Sequence, residues 1–216
     1  MYDLKASFEV PFFYICFGEQ SLMGLTIDEI RARLKTRTVG IAGCGGLGSN
    51  CAVALARSGV GNLIISDFDK VSVSNLNRQY YFLSQVGEPK ALALKRVIHH
   101  IDPDISVVAY EQKLDPEHIL RYFRDCDVIV EAFDLAEQKE MIIETVQTAF
   151  PDKPLVVGVG MAGWGGTDRI RCRRNGQLYI CGDESSEISG TSPPLAPRVG
   201  IVASMQANTV LEILLG

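Results

Sequence analysis

The sequence predicts an α/β fold with a mostly parallel sheet, helices on both faces, a C-terminal β-hairpin, a crossing loop and a final helix. Three observations carry this. Short, nearly continuous apolar runs alternate with longer segments of helical periodicity, the pattern of a sheet buried on both faces. A glycine-rich turn, GCGGLG over 43–48, stands between the first apolar run and the first helical segment. From about residue 164 the alternation gives way to a hairpin signal, a loop rich in Ser, Gly and Pro, and one long apolar stretch.

Each element has a local reason. Residues 1–37 read as an N-terminal extension packed on a domain that fills 38–216. Residues 8–17 are aromatic-rich, and Thr26 with Glu29 three places on is a capping-box pattern opening a helix. TVGIA (38–42) is a first strand, and small apolar residues over 47–57 make a helix. NLIIS (62–66) is a second strand. Leu92, Leu94, Val97 and Ile98 set a helical face over 90–100, and a third strand spans 105–110. A helix at 116–123, a strand at 127–131, a helix at 135–148 and a strand at 154–159 continue the alternation. Asn175-Gly176 marks a hairpin turn between 169–173 and 177–180. Residues 182–197 read as the crossing loop, and 199–215 as the final helix.

Composition bounds the function. With 47% hydrophobic and 22% charged residues the chain can bury a sizeable single core. Its 21 Lys and Arg against 26 Asp and Glu give a net charge of -5, which argues against a broad nucleic-acid footprint. No apolar run reads as a membrane span, and the N-terminus lacks the basic and apolar regions of an export signal. The six cysteines form no Cys-x-x-Cys pair, so reduced, mostly buried thiols and a cytoplasmic location are expected.

The chemistry gathers in three segments. Gly43, Gly45, Gly46 and Gly48 lie between a strand and a helix, where glycines let a phosphate approach the backbone and the helix N-terminus offers free N–H groups. Asp67 follows at the end of the next strand, the position of a ribose-binding carboxylate in a Rossmann-like fold. A dinucleotide-dependent dehydrogenase would need nothing more, yet the segment continues as DFDKVSVSNLNRQ (67–79), with Lys90 beginning the next helix. Arg78 and Lys90 suit a triphosphate, where they would stabilise charge building on the α-phosphate and on departing pyrophosphate. Asp134 ends the EAFD segment (131–134) at the carboxyl end of a strand, where it would hold Mg²⁺ or cap the following helix.

Together GCGGLGSN (43–50), DFDKVSVSNLNRQ (67–79), VGEPKALALK (86–95), EAFD (131–134) and APRVGIVASMQANTVLEILLG (196–216) resemble the ThiF/MoeB/HesA family, relatives of the ubiquitin-activating enzymes. The form of the C-terminal part is most similar to a compact bacterial ThiF subgroup linked to thiamine biosynthesis. The resemblance implies ATP-dependent adenylylation of the C-terminal glycine of a ThiS-like, ubiquitin-fold sulfur carrier, with release of pyrophosphate. It implies that Asp67, beside Asp69, binds the ribose, that Asn75, Arg78, Gln79 and Lys90 surround the phosphates, and that Asp134 positions Mg²⁺. Arg78, Lys90 and Asp134 are the expected catalytic residues. It also implies a homodimer. Other readings are a ThiF-fold enzyme acting on another carrier or dehydrating a tRNA base, an NAD-dependent oxidoreductase, and a non-catalytic nucleotide-binding module.

The departures from the family pattern also set expectations. Many relatives hold zinc with two Cys-x-x-Cys pairs near the C-terminus. Only Cys172 and Cys181 stand in that region here, so no zinc site is expected. The crossing loop contains no cysteine, and Cys181 just before it reads as a packed thiol rather than a reactive one. A separate sulfurtransferase is therefore the expected sulfur source. Relatives also place an N-terminal arginine on the partner subunit's triphosphate; the N-terminal region here does not match that motif, and Arg31 and Arg33 read as a solvated helix face. His99 and His100 are expected at helix-end carbonyls, and Trp164 packed on the hairpin or against a peptide tail. Gly158 and Gly160 serve sheet packing or the approach of that tail.

Overall fold

The computed structural model describes residues 24–216, so the aromatic segment at 8–17 lies outside the described residues. Chain order is α1 (Ile27–Leu34), β1 (Thr38–Ala42), α2 (Gly46–Ser58), β2 (Asn62–Ser66), α3 (Lys90–Ile101), β3 (Ser106–Tyr110), α4 (Pro116–Tyr122) and β4 (Val128–Glu131). It continues with α5 (Ala136–Ala149), β5 (Leu155–Gly158), β6 (Arg171–Asn175), β7 (Leu178–Gly182) and α6 (Ala196–Leu215). The capping box is present: Glu29 N donates to Thr26 Oγ1 at 3.3 Å, and Thr26 N donates to the Glu29 carboxylate at 2.7 Å.

The strands form one sheet in the order β3-β2-β1-β4-β5-β7-β6. All neighbours are parallel except β6, which pairs antiparallel with β7. The chain moves outward from β1 through β2 and β3, then returns to place β4 on the other side of β1. That reversal opens a crevice at the carboxyl ends of β1 and β4. Val39, Ile41, Leu63, Ile65, Val130 and Val156 face a core built with α2, α3 and α6. Ala42, Ile129, Leu155 and Val157 face a second core with α4 and α5. Gly40 is required there, because a Cβ would come within 2.6 Å of the Phe123 ring.

Three boundaries differ from the sequence reading. The hairpin pairs Asn175 with Leu178, so Gly176 and Gln177 form the loop rather than Asn175 and Gly176. Gly176, at φ +61°, holds the first loop position, where a II′ turn wants glycine. A 3-10 turn, Thr167–Arg169, delays the first hairpin strand to Arg171. α6 begins at Ala196 rather than 199, because Pro197 fits the first turn of a helix. The crossing loop is correspondingly shorter.

Contrary to the expectation that no apolar run reads as a membrane span, α6 is long and apolar enough to cross one by length and composition. Its burial explains the apolarity differently. Val199, Val202, Ala203, Ala207, Val210 and Leu214 pack into the core, and Arg198, Gln206 and Thr209 are buried beside them.

Candidate active site

The crevice is a cavity of about 280 Å³ at the carboxyl ends of the central strands. Gly43, Gly45, Gly46, Asp67, Asp69, Arg78, Gln79, Lys90 and Asp134 all line it, so residues from four separate segments meet there. Two expected members do not. Gly48 lies inside the first turn of α2, where a Cβ would sit 1.8 Å from the Gly43 carbonyl oxygen. Its lack of a side chain lets the helix close on the turn. Asn75 lies in a 3-10 turn, Val73–Asn75, and its Oδ1 accepts from Ser72 N at 3.0 Å. Its carbonyl takes Arg78 N at 3.1 Å and Gln79 N at 2.9 Å, so Asn75 shapes the backbone that presents those two side chains.

The glycine turn is built for close approach. Gly43, at φ +97°, lies where a Cβ would be 2.7 Å from the Ala132 carbonyl oxygen. Gly45 caps α2 without a side chain, and a Cβ there would meet nothing nearer than Gln79 Nε2 at 3.8 Å. The first intrahelical bond runs from Ser49 N to Gly45 O at 3.0 Å. The amides of Gly46, Leu47 and Gly48 therefore have no intrahelical acceptor, and they sit at the positive end of a 13-residue helix.

Asp67 is 8% exposed. Its Oδ2 accepts from Cys44 N at 2.7 Å and its Oδ1 from Asp69 N at 2.8 Å. Each oxygen keeps a further lone pair, so the carboxylate is oriented without being saturated. Burial pushes its pKa up, opposed by Lys90 and by the two amides. Lys90 opens α3 with its side chain 8% exposed, and Nζ meets Asp69 Oδ2 at 2.7 Å. Tyr81 sits between the two halves of this wall: its hydroxyl donates to Cys44 O at 2.7 Å, and Lys90 O lies 3.3 Å from the same oxygen.

Arg78 is half-buried, and its Nη1 donates to Asn77 Oδ1 at 2.8 Å and Ser74 O at 3.2 Å. Asn77 in turn donates to Pro194 O at 3.3 Å, tying this segment to the crossing loop. Gln79 is buried, and its Oε1 has no hydrogen-bond partner. An orphan acceptor on a cavity wall suits a ligand that brings its own donor. Asp134 is exposed on the rim. Leu135, not Asp134, occupies the N-cap position of α5, and no side chain caps that helix. The helix-cap alternative for Asp134 is therefore not the arrangement found.

The residues fit a nucleotide with its phosphates over the glycine turn. They also fit Mg²⁺ in one sense only. Among the described residues no group of three or more His, Cys, Asp or Glu side chains could hold a metal ion. Mg²⁺ commonly takes one or two protein carboxylates and completes its shell with phosphates and water, which Asp134 at the rim allows.

Sequence reasoning missed several walls of the cavity. Lys139, Gln112, Met161, Ile188 and Val199 also line it. Lys139 is five residues beyond Asp134 and one turn into α5, the only signal the sequence offered for it. Through Ile188 and Pro194 the crossing loop also contributes to the lining.

The remaining candidates fall elsewhere. Arg31 and Arg33 are exposed on α1 and do not line the cavity. His99 Nε2 lies 3.2 Å from the Ile105 carbonyl, beyond the helix end, and His100 is exposed. Trp164 is 74% exposed, so it is not packed on the hairpin. Cβ atoms at Gly158 and Gly160 would meet Leu47 at 2.3 Å and Asp183 at 2.1 Å, which accounts for both glycines by packing. The described cysteines are free thiols, and all but Cys172 are buried. Cys181 is fully buried, and burial pushes its thiol up to about 12, against a reactive role.

Comparison with known proteins places the chain. It is 35% identical over 143 residues to the sulfur carrier protein adenylyltransferase of Thermus thermophilus, covering 66% of this chain and 52% of that one. It is 29% identical over 215 residues to the sulfur carrier protein ThiS adenylyltransferase of Escherichia coli, covering 94% and 82%. These relatives are, by name, nucleotidyltransferases. The chain spans about half the length of several relatives, among them 42% of a bifunctional adenylyltransferase and sulfurtransferase of Dictyostelium discoideum. In fold it matches E. coli tRNA N6-threonylcarbamoyladenosine dehydratase, solved with ATP, at a TM-score of 0.78 and 20% identity, covering 87% of this chain and 89% of that one. The ThiF family matches residues 17–216, and the chain belongs to that family.

Proposed function

We propose that this chain adenylylates the C-terminal glycine carboxylate of a ThiS-like, ubiquitin-fold sulfur carrier, serving thiazole formation in thiamine biosynthesis. The carrying observation is the meeting of the glycine turn, Asp67, Arg78, Lys90 and Asp134 around one cavity. Two cations beyond a ribose acid have no task in hydride transfer and a clear one in triphosphate chemistry.

The proposed sequence is simple. Asp67 accepts the ribose hydroxyls, and the α2 amides, Arg78 and the Gln79 Nε2 donor hold the phosphates. The carrier carboxylate attacks the α-phosphorus, the bond to the bridging β-phosphate oxygen breaks, and pyrophosphate leaves with the bond electrons. No protein base is needed, because a C-terminal carboxyl is already ionised near neutral pH. Arg78 and Lys90 stabilise charge on the α-phosphate and the leaving group, so positioning and electrostatics carry the rate. Mg²⁺, when bound with ATP at Asp134, supplies further neutralisation of phosphate charge. The protein is proposed to work as a cytoplasmic homodimer with a separate sulfurtransferase as sulfur donor.

A second reading, ATP-dependent dehydration of a modified tRNA base, has one observation in its favour. Arg169, Arg171, Arg173 and Arg174 crowd the hairpin edge of an otherwise acidic chain. Two of them are engaged locally, Arg173 by Glu184 and Arg174 by the Gly176 carbonyl at 2.8 Å, so the carrier reading is preferred. ATP–pyrophosphate exchange with a panel of Gly-Gly-terminated carriers, including a ThiS-type protein, separates the readings. Carrier-dependent exchange that falls tens-fold or more in Arg78→Ala and Asp134→Ala, a loss on the order of 2–4 kcal/mol of stabilisation, supports adenylylation. ATP binding without exchange points to the tRNA or non-catalytic reading, and NAD binding in place of ATP to an oxidoreductase.

A further inference from the structure

Glu131, the last residue of β4, is completely buried beneath the cavity. Lys139 on α5 reaches it with Nζ at 2.9 Å from each carboxylate oxygen, and the same Nζ donates to Gly158 O at 2.9 Å. All three ammonium donors are thereby used. Glu131 Oε1 also accepts Phe133 N at 2.6 Å, and the Glu131 carbonyl accepts Gln206 Nε2 at 2.9 Å. Ala132, between them, donates its N–H to Ala42 O at 2.9 Å and lies against Gly43. The turn after β4 is thus fixed from α5, from the end of β5 and from the glycine turn. It presents Phe133 and Asp134 to the cavity, and Lys139 itself is part of the wall.

We infer that Lys139 is a positioning residue for this site: clamped to Glu131 and Gly158, it sets the turn that aims Asp134 at the phosphates. The inference rests on the nucleotide reading above. A buried ion pair is often no more stabilising than an apolar pair of the same shape, so stability alone does not account for one placed here. Its geometry does, since one cation joins three backbone segments that converge on the cavity. It also neutralises Glu131, which would otherwise add a second negative charge beneath a triphosphate.

Calorimetry on the full chain tests this without any carrier. ATP is titrated in EDTA, then with Mg²⁺ varied at fixed ATP, for the unaltered chain, Lys139→Met, Lys139→Arg and the double variant Glu131→Gln/Lys139→Met. Lys139→Met should leave metal-free ATP binding within about threefold and raise the Mg²⁺ half-saturation tenfold or more. Lys139→Arg should recover most of that, and the double variant should be less impaired than Lys139→Met. Should Lys139→Met fail to fold, the double variant carries the comparison: against the unaltered chain its Mg²⁺ half-saturation should rise severalfold while metal-free ATP binding stays within about threefold. Equal loss with and without Mg²⁺ in the folded variants, or no loss in any, would overturn the inference. An unaltered chain that binds no ATP at all would overturn the nucleotide reading, and this inference with it.

Discussion

Replacing Gly48 by Ala separates packing from ligand contact within the glycine turn. A Cβ at Gly48 would lie 1.8 Å from Gly43 O and 3.2 Å from Ala132 Cβ. A carbon and a carbonyl oxygen settle at about 3.3 Å or more, so the helix must retreat by about 1.5 Å or the turn must distort. Overpacking of this kind costs about 1–3 kcal/mol, and a clash with backbone belongs at the upper end. Alanine returns about 1 kcal/mol through helix propensity, leaving a net loss of about 2 kcal/mol. For a chain of this size that is a fall in Tm of about 4–8 °C. Gly45→Ala is the control, since its Cβ would meet nothing closer than 3.8 Å. It should keep Tm within about 2 °C on the same scale while weakening ATP, because its methyl enters the cavity. Circular dichroism melts and ATP calorimetry read both effects. A Gly48→Ala chain that melts with the parent, or a Gly45→Ala chain that is the one to lose stability, would refute the packing role of Gly48.

Three further outcomes are expected. Lys90→Met should keep its fold, since the Asp69 it abandons is 48% exposed, yet lose about 10²–10³ in carrier-dependent exchange; a loss under about threefold would contradict this. Asp183 is buried, and burial acts to raise its carboxyl; the amides of Ser185 and Ser186 and the Arg198 guanidinium outweigh that and hold it at about 2. Its ionised form therefore contributes on the order of 2–3 kcal/mol above about pH 4, lost as pH falls toward 2. Asp183→Asn should accordingly melt well below the parent at pH 7 and converge with it near pH 2, whereas a constant offset across that range would refute the assignment. Cys181→Ser should keep exchange within about threefold; a loss comparable with that of Lys90→Met would make the buried thiol a participant.

Much of the fold was legible because its signals are local. Apolar strands, the Thr26–Glu29 box and the glycine turn each declare themselves within a few residues. The hairpin turn slipped by one residue because Asn-Gly and Gly-Gln both satisfy turn chemistry, and the Leu178 pairing decides between them. That β7, not β6, lies beside β5 is a long-range choice that no short motif records. The lining of the candidate site is legible where charge stands against expectation, at Arg78, Lys90 and Asp134, which meet at one cavity. Asn75 and Gly48 read from sequence as nucleotide contacts but do not line the cavity, because a motif does not say which of its members face outward. Lys139 was missed for the opposite reason: its partners Glu131 and Gly158 come together only when β4 and β5 pair.

The cavity is proposed to join an adenylyl group to a carrier's terminal carboxylate. Intact-mass spectrometry of a ThiS-type carrier incubated with the chain, ATP and Mg²⁺ tests it most directly. The expected product is a carrier heavier by one adenylyl group, localised to the C-terminal glycine and absent with Arg78→Ala. A carrier of unchanged mass, from a folded chain with bound ATP and freshly supplied Gly-Gly tails, would contradict it.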